Sequence, residues 1–165
     1  VLVLHGTKKL RDRVKTIPSH TSETSTTRLG DWYATALLWR PQVCLLVNEA
    51  TLLPVLMPLA PAATLAERFP EWLSDVLAAH GASGEFIAAE RAEMVQIRLA
   101  KTSNRSVVGM MNEFTFLAEA HADPGAWSNL LGLSVRLAET ACGPLYKRHV
   151  YPRRELAALL GEESL

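Results

Sequence analysis

The sequence predicts an α+β fold: a small, mostly antiparallel sheet, built from an N-terminal strand plus a three-strand meander and covered by C-terminal helices. Three observations carry that prediction. Short apolar and aromatic runs, punctuated by Gly, Pro, Asn and Asp, fill the chain as far as Leu59. From Pro61 onwards the apolar residues recur at helical spacing instead. The 165 residues are 48% apolar and 21% charged, the balance of a chain that buries a core. That length fits one domain over residues 1–165, and neither an internal repeat nor a linker divides it.

Val1–Leu4 is a continuous apolar run suited to a strand buried on both faces, free to pair with any strand of the meander. His5-Gly6-Thr7 breaks it, and Thr7 is placed to cap a short basic helix over Lys8–Lys15, with Leu10 and Val14 inward. Ile17-Pro18 stops this helix. Ser19–Thr27 has no periodicity and reads as a mobile loop. Arg28-Leu29-Gly30-Asp31 turns the chain into a strand over Trp32–Arg40, Pro41-Gln42 connects it to Val43–Val47, and Asn48–Thr51 carries turn chemistry. Leu52–Leu59 is the third run of the meander. Pro54 and Pro58 make it short or place it at an edge, because proline cannot donate to a ladder.

Beyond Pro61, Thr64 leads into a helix over Leu65–His80 that Gly81 closes, with Pro70 expected to kink it or mark an initial turn. Ser83 starts a helix expected to run to about Leu99, with Phe86, Ile87, Glu90, Met94, Ile97 and Arg98 along one side. Ser106 is the expected cap of a helix that ends within His121–Gly125. Trp127–Thr140 forms another, terminated by Cys142-Gly143-Pro144, and Pro152 opens a last helix through Leu160.

Lys plus Arg equals Asp plus Glu at 17 each, so no global field selects nucleic acid or an acidic partner. The charge is uneven, though. One basic run spans Lys8–Lys15 and another Lys147–Arg154, with an acid-rich middle between them. The two runs form a patch if they meet in space and are solvated faces if they do not. The two cysteines, Cys44 and Cys142, have no metal or redox spacing and read as buried thiols of a cytoplasmic protein. Neither a membrane-length apolar run nor a signal-peptide pattern is found, so no membrane is expected as a partner. With Val at position 1, the chain is expected to start just inside its gene product.

Three polar patches are candidate sites. In the first, Arg28 and Asp31 flank a Gly turn ahead of Trp32 and Tyr33: a forked donor and aromatic faces for a planar or phosphorylated ligand, or an ion pair that fixes the loop. In the second, Asn48 and Glu49 stand at a strand end, where they hold a turn or supply a general base. In the third, Ser103, Asn104, Arg105 and Ser106 lie at a helix N-terminus that favours an anion, with Asn112 and Glu113 two turns on; the alternative is a cap with a salt bridge. The histidines, His5, His20, His80, His121 and His149, make no HxxxH or HxH pair, so neither a metal nor a cofactor is expected. Nucleophile elbows and phosphate loops are likewise absent, and whether the chain is an enzyme stays open.

The segments Thr7-Lys8-Lys9-Leu10, Thr27–Ala34, Val47–Leu52 and Asn104–Glu113 together resemble a prokaryotic family of stand-alone domains, domain of unknown function 6933. The resemblance spans nearly the whole chain and implies that the four patches belong together; it implies no activity. Thr35 stands where the family often has Asn. Three functions follow from the residues. The first is a non-enzymatic binding module for an anionic ligand, a nucleotide or nucleic acid, through Arg28, Asp31, Trp32, Asn48, Glu49, Asn104, Arg105 and Asn112. The second is a protein-interaction component of a bacterial regulatory or defence pair. The third is a small-substrate enzyme using Asp31, Glu49 or Glu113.

Overall fold

The computed structural model describes residues 1–15, 23–121 and 126–164. Among them, five strands form one open sheet: β1 (Leu2–Gly6), β2 (Trp32–Leu37), β3 (Val43–Asn48), β4 (Pro54–Pro58) and β5 (Ile97–Lys101). Their spatial order is β4-β3-β2-β1-β5. The expected meander is present as the antiparallel pairs β2–β3 and β3–β4. The N-terminal strand, however, lies parallel to both β2 and β5, so the sheet is mixed rather than mostly antiparallel. Parallel neighbours need a crossover rather than a hairpin. Here α1 (Lys8–Val14) lies in the connection from β1 to β2, while α2 (Leu65–Ala79) and α3 (Gly84–Ala92) lie in that from β4 to β5.

β5 corrects the helix expected to reach Leu99. Met94 and Ile97 extend the helical spacing of Phe86, Ile87 and Glu90 by one more turn, and that pattern hides the alternation within Ile97-Arg98-Leu99-Ala100. The helix in fact stops at Ala92, where Glu93 and Met94 fold back through bonds to the carbonyls of Glu90 and Arg91. Pairing with β1 in register, Leu2 to Ile97 through Gly6 to Lys101, then decides in favour of a strand. β4 does lie at the sheet edge, as its two prolines require.

Helices cover both faces. Leu2, Leu4, Trp32, Ala34, Cys44, Leu46, Val55 and Met57 point to one face, where they meet Leu10 of α1, the apolar stripe of α2 and Leu156 of α6 (Pro152–Ser164). Tyr33, Leu37, Val43, Leu45, Val47 and Leu56 point to the other. There they meet α4 (Arg105–His121) and α5 (Leu130–Leu137). Every residue of β3 is buried because the strand is paired on both sides and covered on both faces. The outward edge of β4 is closed by Ser134 of α5, whose hydroxyl accepts from Leu56 N at 2.8 Å and donates to Leu130 O at 2.8 Å.

The ends of the elements follow local chemistry. Thr7 caps α1 and Ser83 caps α3, as their sequences predict. The cap of α4 is Asn104 rather than Ser106: its Oδ1 accepts from Ser106 N and Val107 N at 3.0 and 3.3 Å. A 3-10 turn at Ala62–Thr64 leads into α2, and Pro70 lies inside that helix. Another 3-10 turn, Ala126–Asn129, precedes α5, which is shorter than the expected Trp127–Thr140. The stop at Ile17-Pro18, the first part of the Ser19–Thr27 loop and the turn Ala122–Gly125 lie outside the described residues. The later part of the loop is tied to the start of β1, with Thr26 N donating to Val1 O and Val3 N to Ser25 Oγ, both at 2.8 Å.

Candidate functional site

On the face covered by α4, the sheet register gathers three polar side chains from three adjacent strands. His5 of β1 lies opposite Tyr33 of β2. Asp31 precedes β2 and Glu49 follows β3, one step beyond the paired residues Trp32 and Asn48, and Glu49 N donates to Asp31 O at 3.0 Å. Because side chains alternate along a strand, Asp31 and Glu49 project from the same face as Tyr33 and Val47. Gly30, at φ +79°, lets the chain turn so that Asp31 enters β2 from the right side. One ligand-type atom from each of His5, Asp31 and Glu49 lies within 4.8 Å of the other two.

Each member is aimed by a different part of the fold. The His5 ring stacks on Tyr33, with centroids 4.5 Å apart and planes 20° apart. Its Nδ1 is 2.9 Å from Lys101 O at the end of β5, and its Nε2 is 2.8 Å from Asp31 Oδ2. The Lys101 carbonyl can only accept, so Nδ1 carries a proton and Nε2 is the atom turned to the carboxylates. Asp31 Oδ1 is held by Ser25, whose Oγ and N donate at 2.6 and 3.2 Å. Burial raises the Asp31 carboxyl, but the hydrogen bonds from Ser25 and His5 and the charge of His5 outweigh it and hold the group below its ordinary value.

Asn48 supports the turn that carries Glu49. It is fully buried, donating through Nδ2 to Leu29 O and Asp31 O at 2.8 and 3.2 Å. Its Oδ1 accepts from Thr51 N and Thr51 Oγ1, both at 2.9 Å. All its polar atoms are used within the fold. The Glu49 carboxylate itself has no hydrogen bond or ion pair among the described residues. Above the His5 ring, Tyr33 Oη accepts from Asn104 N at 3.0 Å and lies 3.3 Å from Ser103 Oγ, which links the ring to the start of α4. The site thus stands beside the C-terminal ends of β1, β5 and β3 and the N-terminal end of β2.

The other expected site residues are distributed differently. Trp32 is buried in the core of the opposite face, edge-on to Phe69 at 5.2 Å. Arg28 lines a cleft with Ser83, Glu85, Phe86 and Leu160, and its backbone N–H donates to Glu90. Asn104 is occupied as a helix cap. Arg105, the first residue of α4, is exposed. Asn112 and Glu113 border a shallow hollow with Gly109 and Phe116 along α4. Sequence reasoning brought Asp31 and Glu49 forward but passed over His5, Tyr33 as its stacking partner, and Ser25. The available signal was a histidine at the alternate, α4-facing position of an otherwise apolar strand.

The cysteines are free and buried. Burial, with the Glu113 charge adding to it, pushes the Cys142 thiol up to about 12, and burial raises Cys44 further still. Neither is a thiolate near neutral pH. Among the described residues no helix is long and apolar enough to cross a membrane.

These elements define an α+β domain with a mixed five-stranded sheet between two helical layers and a polar cluster of His5, Asp31 and Glu49 where the sheet's parallel and antiparallel pairing meet. The chain belongs to the family described as Domain of unknown function (DUF6933), whose model matches residues 3–155. No curated protein and no solved structure matches it.

Proposed function

We propose that this domain is a binding module for a small anionic ligand of the nucleotide or phosphate kind, seated beside His5 and the start of α4. The observation that carries the reading is the convergence of His5, Tyr33, Ser103 and the start of α4 at the C-terminal ends of two parallel strands, where open sheets receive their ligands. Arg105, exposed at the first turn of α4, supplies a forked donor set for a phosphate or carboxylate.

A nucleotide-sized ligand is favoured over a nucleic acid. Much of the second basic run is occupied at home: Arg148 pairs with Glu155 at 2.8 Å, Arg153 with Glu139 at 3.5 Å, and Arg154 lies over the Tyr151 ring at 4.9 Å. A patch that tracks a phosphate backbone needs such cations turned outward. An enzymatic reading is favoured by one observation, the accessible Glu49 carboxylate beside Asp31, a pair suited to general acid–base work on a bound substrate.

Titration calorimetry with adenosine triphosphate and with inorganic phosphate, each with and without a divalent cation, tests the proposal. The expected result is saturable binding that Arg105→Ala weakens about tenfold, or roughly 1.4 kcal/mol. Absence of binding by both probes under all these conditions would overturn it. Turnover of the nucleotide, lost in Glu49→Gln, would favour the enzymatic reading.

A further inference from the structure

The carboxylates beside His5 pose a problem for any anion, and the same side chains answer it. We infer that His5 Nε2, Asp31 Oδ2 and a carboxylate oxygen of Glu49 form a divalent-cation site of the zinc or manganese class. The three donors come from positions far apart in sequence, yet the register of β1, β2 and β3 puts them on one face within 4.8 Å of one another. Metal bonds of about 2.0–2.2 Å place neighbouring ligand atoms roughly 3–4 Å apart, a span that the Glu49 side chain closes by a change of rotamer.

Two features distinguish the trio from a surface acid cluster. His5 and Asp31 are fixed from outside the trio through their other polar atoms, so that His5 Nε2 and Asp31 Oδ2 meet each other. Lys101 O takes the Nδ1 proton of His5 at 2.9 Å, the arrangement that orients a metal-binding imidazole through its other nitrogen. Ser25 holds Asp31 Oδ1 through two hydrogen bonds and leaves Oδ2 facing His5. The charges are also unequal. Ser25 and His5 meet the Asp31 carboxylate and the Glu49 carboxylate has no partner among the described residues, whereas a dication satisfies all three groups at once.

The donor set fixes the class of metal. One imidazole with two carboxylates suits Zn2+, Mn2+ or Fe2+ better than Mg2+ or Ca2+, which prefer all-oxygen shells. Three protein ligands leave open positions for water or for an anionic group brought by a ligand. The inference rests on the region beside His5 as the binding site, but it does not require the anion.

Calorimetric titration of the chelator-treated full chain with Mn2+ or Zn2+ alone, with no phosphate or nucleotide present, tests it. Binding of one ion per chain is expected, weakened about tenfold or more by Glu49→Gln and by His5→Gln, and unchanged by Glu113→Gln. Substitution with Co2+ gives a second readout, a visible absorption band that Glu49→Gln shifts or removes. Failure of all these metals to bind, binding that survives both ligand variants, or preference for Mg2+ or Ca2+ over Mn2+ and Zn2+ would each overturn the assignment. Metal binding without nucleotide or phosphate binding would support the cation site while removing the ligand reading.

Discussion

Two sets of carboxylates flank the segment from Ser25 to Asp31, and they are built in opposite ways. On one side Glu90 of α3 is 3% exposed and accepts the backbone N–H groups of Arg28 and Leu29. On the other, the Asp31 and Glu49 carboxylates stand side by side, one tied to His5 and Ser25 and the other without a partner among the described residues. A buried carboxylate whose oxygens are met by backbone donors is part of the fold, because removing it strands those donors. An accessible carboxylate beside another acid gives the fold little and leaves its charge to be met by something else. The first clamps the segment; the second is what the clamp positions.

The strongest break of this contrast is Glu90→Ala, which strands two N–H groups and should lower stability by about 3 kcal/mol in urea unfolding. Glu90→Gln should lose less, since one side-chain oxygen remains to accept. Ser134→Ala offers an intermediate case. It leaves Leu56 N–H on the edge strand without its 2.8 Å partner and should cost about 1–2 kcal/mol by the same measurement. Glu49→Gln should change stability by no more than about 0.5 kcal/mol while removing the metal response. A large loss of stability in Glu49→Gln would place that residue with Glu90 and dissolve the distinction.

His80 gives the smallest effect and sharpens the same contrast for a base. Its Nε2 is the buried side-chain nitrogen among the described residues that has no hydrogen-bond partner. Burial, with Arg153 adding and Glu139 opposing, holds the imidazole below its ordinary value of 6.5. As pH falls the unfolded chain takes up this proton first. The His80 contribution to stability is therefore complete above about pH 6.5 and is lost as pH drops through that value. Thermal melts between pH 8 and 5.5 should show a shallower decline in His80→Gln than in the native chain; equal slopes would mean that other groups set the decline.

Most of the fold was legible in the sequence because most of its elements are decided locally. Thr7 and Ser83 mark helix starts by their hydroxyls, and Pro54 and Pro58 mark an edge by the donors they lack. The parallel placement of β1 was not legible, since Val1–Leu4 states only that a strand is buried and says nothing of its neighbours. Nor was β5, whose Ile97 fits a helical period as well as a strand. Two of the three residues of the proposed cation site, Asp31 and Glu49, were visible as polar residues at a turn and at a strand end. Their meeting with His5 depends on the strand order β3-β2-β1, which no spacing in the sequence records. Glu90 carried a clearer sign: an acid on the apolar side of a helix must find donors indoors, and it finds them at Arg28 and Leu29.

The most direct test of the contrast is anomalous diffraction from crystals soaked in Mn2+. A peak lying roughly 2.0–2.3 Å from His5 Nε2, an Asp31 oxygen and a Glu49 oxygen is the predicted result, with Glu90 still bound to its backbone donors. A peak confined to other carboxylates or histidines, or none at all with the His5–Asp31 contact intact, would contradict it.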